Sequence, residues 1–160
     1  MVKRYKRTLA AYYVVTDGVL GAAAFVGAYL FRFNSQLFQV PKGYPPFWQY
    51  AAVLPLVGLL VPMAFYFQGL YSVRRNRSRV DDFFAVLVGS VVAVVLGVVS
   101  TLFFQAYYVP SEFKNRGVLE VSRLVWAIFL VANVLLTYAS RATIRHALER
   151  RWRAGIGLKR

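Results

Sequence analysis

The chain has 160 residues, 59% of them hydrophobic and 17% aromatic, and a formal net charge of +14 from 20 Lys and Arg against 6 acids. A mean hydropathy of +0.50 and a pI near 10.6 exclude an ordinary soluble domain, and with it the exposed basic patch on a soluble fold that nucleic-acid binding requires. The absence of cysteine excludes disulfides, iron–sulfur clusters and thiolate zinc sites.

The apolar residues fall into blocks of about 20 residues or more, the length that crosses roughly 30 Å of hydrocarbon at about 1.5 Å per residue. Four transmembrane helices are expected, over about 9–31, 47–70, 82–109 and 119–140. The fold class is therefore all-α, a polytopic four-helix bundle over 1–140, followed by a basic interfacial helix and linker over 141–160. The first block is too long for a cleaved signal peptide and carries Asp17, so it reads as a retained span. Asp17 lies eight residues beyond Leu9, roughly 12 Å along the helix, where an ionised carboxylate costs on the order of 2.5–3.5 kcal/mol. It needs a partner. Arg141 and Arg145 at the end of the fourth span, and Asn133 and Tyr138 within it, are the candidates. Asp17, Asn133 and Arg141 are thus expected to form an intramembrane polar tether, in preference to a proton or headgroup site, because no second intramembrane acid is present to relay a proton.

The second span contains Pro55 and Pro62 on nearly one face, each removing a backbone donor and expected to bend the helix. The loop after it packs Arg74, Arg75, Arg77 and Arg79 between two apolar runs. Ser78 and Asp81 in the same stretch form a capping-box pattern for the third span, with Asp82 adding charge at the helix N-terminus. Helix capping accounts for both carboxylates, and neighbours on a helix point about 100° apart, so they make a poor catalytic pair. In the third span Gly89, Ala93, Gly97 and Thr101 recur every four residues. Such a stripe of small residues lets another helix backbone approach, within one subunit or between two copies. After the fourth span, Ile144, Leu148 and Trp152 step along one face between arginines, the pattern of a basic amphipathic helix on an anionic leaflet. His146 has no second ligand nearby in sequence, so no metal site is expected.

Sidedness follows from charge. The N-terminal segment, the second loop and the C-terminal segment together hold 15 Lys and Arg, and the other two loops with their helix ends hold five. With an even number of spans the rich segments share a face, and the positive-inside rule makes it cytoplasmic, with both termini on that side. If lipid phosphate or anionic lipid is bound, Arg74, Arg75, Arg77 and Arg79, with Arg145 and Arg151, are the residues to meet it; the alternative, for which the positive-inside rule already accounts, is that they only fix orientation.

The stretches "DGVLGAAAFVGAYLFRF", "FYFQGLYSVRRNRSRVDDF", "SRLVWAIFL" and "SRATIRHALERRWRAGIGLKR" together resemble the N-terminal membrane domain of the polyprenyl-phosphate glycosylphosphotransferases that initiate bacterial surface polysaccharide synthesis. The chain is also similar to the membrane opening of nucleotide-sugar dehydratases and epimerases. The run "RRNRSRVDD" and the Ser122–Arg123 start of the fourth span favour the transferases. The resemblance implies a bacterial inner-membrane protein and a cytoplasmic catalytic region, with an Asp–Glu pair and magnesium, that moves a sugar-1-phosphate from a nucleotide sugar onto undecaprenyl phosphate. No part of the sequence matches that region, so no catalytic residue and no cofactor are assigned, and this chain alone is expected not to be an enzyme. Its expected role is membrane anchoring and assembly, and its expected contacts are membrane lipids, a cytoplasmic catalytic domain or membrane-complex subunits, and further copies of itself. The alternative is a stand-alone subunit scaffolding a larger membrane complex. A transporter is disfavoured by the lack of paired intramembrane charges and inverted repeats.

Overall fold

The structure, a computed structural model, describes residues 2–35, 45–71, 78–110, 112 and 121–153, excluding the side chains of 2–9, 79, 145 and 147–153. All regular structure among the described residues is helical: α1 Val2–Asn34, α2 Phe47–Ala51, α3 Leu54–Phe67, α4 Arg79–Tyr107 and α5 Arg123–Arg153. Four stretches are long and apolar enough to cross a membrane: Ala10–Asn34, Phe47–Phe67, Val80–Tyr107 and Arg123–Ile144. α1 packs on α3 and α5, and α4 packs on the same two helices from the other side. The result is a four-sided bundle in which the last helix closes against the first.

The polarity of the bundle is inverted relative to a soluble protein. Exposed positions along the spans are apolar, as at Val19, Leu59, Val95, Val99, Val131 and Leu135, whereas Asp17, Ser90, Thr101, Asn133 and Thr137 are buried. This is the pattern that suits hydrocarbon surroundings, in which an outward polar group would have no partner.

The second span differs from the single bent helix expected from sequence. Pro55 has no N–H for the Ala51 carbonyl, so α2 ends there and Pro55 occupies the first turn of α3, where a missing donor is harmless. The break is closed by Ala52 N–H donating to Trp48 (3.1 Å) and Val53 N–H donating to Tyr50 (3.0 Å). Pro62 lies inside α3 and leaves the Gly58 carbonyl without its usual helical donor. α1 crosses at that point: a Cβ on Gly18 would lie 2.9 Å from the Gly58 oxygen. Only a residue without a side chain lets the two backbones meet there.

The fourth span, Arg123–Ile144, is part of a longer helix, α5, which runs from Arg123 to Arg153 with no proline or glycine between 139 and 153. At its start, Ser122 N–H donates to the Tyr50 hydroxyl at 3.2 Å, which pins α5 to the second span.

Tyr50 belongs to an aromatic cluster at that end of the bundle. The Phe25 ring lies 5.3 Å from Trp126 and 5.6 Å from Phe129, centroid to centroid, and Tyr29 lies 4.7 Å from Tyr50. The α4 stripe is used inside the chain and receives rings: a Cβ at Gly89 or at Gly97 would lie 2.5 Å from the ring of Phe65 or of Trp126 respectively. Ala93 is buried between them. Thr101 turns its hydroxyl back to the Gly97 and Val98 carbonyls, at 3.0 and 2.9 Å, as hydroxyls in membrane helices do. At these two glycines the stripe packs a ring into a notch.

Gly97→Ala is expected to destabilise the bundle by about 1–3 kcal/mol through overpacking against Trp126. Gly27, which faces open space, is the control: Gly27→Ala is expected to be neutral or slightly stabilising. Thermal unfolding of both variants in the same detergent is the measurement.

Candidate functional site: a buried charge tie between the first and last helices

At the end of the bundle opposite the aromatic cluster, Asp17 is 1% exposed. Arg141 of α5 donates from Nη2 to its Oδ2 at 2.6 Å, and the Tyr71 hydroxyl donates to the same oxygen at 3.0 Å. Arg141 Nη1 also approaches the Leu70 carbonyl at 3.4 Å. Three rings surround the guanidinium, those of Tyr13, Tyr71 and Phe65, with its central carbon 5.3, 5.8 and 5.9 Å from their centroids. A guanidinium suits this setting because its flat, weakly hydrated face tolerates aromatic contact while its edge donates to the carboxylate. The pair thus joins α1, α5 and the segment after α3 in one contact.

Tyr71 reaches Asp17 because of how α3 ends. Gly69 has φ 67°, a left-handed conformation suited to glycine. Gly69 N–H donates to Tyr66 (2.9 Å) and Leu70 N–H to Phe65 (3.1 Å), the paired bonds of a Schellman cap. Leu70 and Phe65 are both buried, supplying the apolar contact that accompanies such a cap. The turn carries Tyr71 back toward α1. A phenol is protonated at neutral pH, so Tyr71 is the donor in its bond to Asp17.

Of the residues expected in the tether, the structure brings Asp17 and Arg141 together and places Asn133 elsewhere. Asn133 is fully buried and donates to Ser90 Oγ at 2.9 Å, joining α5 to α4. Asn133 Oδ1 and the buried Thr137 hydroxyl find no hydrogen-bond partner among the described residues. Tyr138 packs edge-on against Phe83, centroids 5.6 Å apart. Tyr71 was not foreseen as the second partner. Its signal lay in the Gly69–Leu70–Tyr71 order, a glycine placed to end a helix and redirect the next aromatic residue.

The capping box is present at the start of α4: Asp81 N–H donates to Ser78 Oγ at 3.1 Å, and Ser78 N–H to Asp81 Oδ2 at 3.2 Å. Asp82 lies in the same first turn. Arg74, Arg75 and Arg77 lie outside the described residues; Arg79, Arg145 and Arg151 are placed by their helices, and their side chains lie outside the description. Among the described residues no three His, Cys, Asp or Glu side chains gather to hold a metal ion.

Tyr71→Phe removes one bond to a buried charged group and is expected to destabilise the bundle by about 1.5–3 kcal/mol. Gly69→Ala strains the left-handed position by about 1–2 kcal/mol. Both losses are readable as lowered unfolding midpoints in detergent.

No family model matches the chain, and no curated protein and no solved structure matches it.

Proposed function

We propose that this chain is the membrane-anchoring and assembly domain of a polyprenyl-phosphate sugar-1-phosphate transferase, non-catalytic by itself, in the bacterial cytoplasmic membrane with both termini cytoplasmic. The observation that carries the anchoring role is the path of α5. The helix is held at Arg141 by the buried tie and runs on without a break to Arg153. A helix fixed in this way positions whatever lies beyond the bundle relative to the membrane. The transferase assignment rests on the sequence resemblance, and the sidedness on the unequal distribution of Lys and Arg.

In this reading Asp17 is a structural acid. Its Oδ2 accepts from both Arg141 and Tyr71, so it acts on the helices around it. Arg74, Arg75, Arg77 and Arg79, together with Arg145 and Arg151, gather anionic lipid phosphate at the cytoplasmic face by electrostatics. The alternative, a stand-alone scaffold docking other subunits on its small-residue faces, is less well supported, because rings of the same chain fill the notches at Gly89 and Gly97.

A fluorescent-protein fusion after Arg160 is expected to be bright and an alkaline phosphatase fusion at the same point inactive; the reverse pattern overturns the sidedness. Purification in mild detergent is expected to recover a sugar-phosphate transferase catalytic region with this chain. Recovery of an unrelated membrane complex instead supports the scaffold. Replacing the four loop arginines by glutamine is expected to weaken binding to vesicles containing a polyprenyl phosphate, with topology checked by the same fusions.

A further inference from the structure

The outer surface of the bundle is sorted along its length. Exposed aromatic rings occur on α1 at Tyr12 and Phe31, on α2 and α3 at Trp48 and Phe67, and on α4 at Phe84 and Phe103. Each pair is separated by 19 positions, which is about 28 Å at about 1.5 Å per residue. Of the other exposed rings, Phe47, Tyr66, Phe83 and Phe104 adjoin one of these six, and Tyr107 and Tyr108 lie about one turn beyond Phe103 at the same end of α4. Between the two levels the large exposed side chains are aliphatic or methionine, as at Val15, Val19, Leu59, Met63, Val91 and Val95.

Contacts within the bundle align the levels. Asp17, five positions after Tyr12, is bonded to Tyr71, four positions after Phe67. Phe83 packs on Tyr138 of α5, three positions before Arg141. Tyr12, Phe67 and Phe84 therefore mark one end. At the other end Tyr29 packs on Phe47, centroids 5.3 Å apart, which brings Phe31 and Trp48 to a common level.

From this sorting we infer that the two aromatic rims contact the headgroup layers of a bilayer with a hydrocarbon core of about 30 Å, and that the aliphatic band between them faces acyl chains. Two single helices, α1 and α4, give this spacing, and the second span repeats it across the α2–α3 junction. The alternative occupant of the band is a second copy of the chain. Helix pairing in membranes uses small residues; on α1 Ala23 and Gly27 face outward, whereas on α4 Gly89 turns onto Phe65 and Gly97 onto Trp126, so it is the α4 face that distinguishes lipid from a second copy. The outward stripe consists of Val88, Val91, Val95, Val99 and Leu102, which offers bulky aliphatic surface matched to lipid. Asp17 then sits about 7 Å inside the rim marked by Tyr12, within the acyl region. There its pairing with Arg141 replaces the water it lacks.

The cysteine-free sequence permits single nitroxide labels without background. Phe84→Cys, Val95→Cys and Phe103→Cys alter exposed side chains only. Each labelled protein is reconstituted in vesicles of dioleoylphosphatidylcholine with a minor fraction of dioleoylphosphatidylglycerol. Collisional relaxation by oxygen is then compared with that by a water-soluble nickel chelate. The oxygen-to-nickel ratio is expected to be several-fold higher at position 95 than at positions 84 and 103. A label at 95 shielded from both reagents, or broadened by a second label, means that protein covers the band and overturns the inference. A maximum at 84 or 103 places the rims wrongly and overturns it as well.

Discussion

The contact between Asp17 and Arg141 closes the bundle. It joins the first helix to the last, at 2.6 Å, where the surrounding medium offers neither charge a substitute partner. In water such a pair contributes little, because each ion is well solvated when apart. In hydrocarbon the separated ions are the costly state, so α1 and α5 are held together by what each lacks alone. Tyr71 and the Leu70 carbonyl extend the contact to the end of α3. The order of helices around the bundle, with α5 returning to α1, is therefore fixed in part by this contact.

The rest of the interior achieves closeness by shape. Hydrophobic attraction between helices is weak when the solvent is itself apolar, so packing and buried hydrogen bonds must supply the association. Two solutions are combined here. At Gly18 the α1 backbone lies over the Gly58 carbonyl that Pro62 leaves without a helical donor, and at Gly89 and Gly97 a notch accepts an aromatic ring. The Ser90–Asn133 hydrogen bond adds a polar link between α4 and α5. Together these contacts hold α5 as one helix from Ser122, bonded to Tyr50, through Arg141 and on to Arg153.

Much of this was legible in the sequence, and for physical reasons. Span number follows from the length of apolar runs, which the bilayer dictates. The Ser78–Asp81 cap is a local pattern with a local cause. Asp17 announced its need for a partner because an acid in a span is costly, and Arg141 was among the few candidates at a compatible depth. Features that depend on three-dimensional placement were less legible. Asn133 has the same chemistry whether it faces α1 or α4, and helix rotation decides that it meets Ser90. Tyr71 reaches Asp17 only because Gly69 turns the chain back. A stripe of small residues looks the same in sequence whether it admits a backbone or a ring. The basic pattern after Arg141 falls on the last turns of α5, which no residue there breaks. The expectation of anionic-lipid contact by the loop arginines concerns Arg74, Arg75 and Arg77 beyond the described residues.

The Asp17–Arg141 pair, and not either residue alone, closes the bundle. A double-mutant cycle with Asp17→Leu, Arg141→Met and the combined variant, unfolded in the same lipid–detergent mixture, tests it most directly. Each single variant leaves one buried charge without its partner and is expected to lose about 3–5 kcal/mol. The combined variant is expected to lose far less than the sum, giving a coupling of about 2 kcal/mol or more. Additive losses would contradict the claim and assign the closure of the bundle to packing alone.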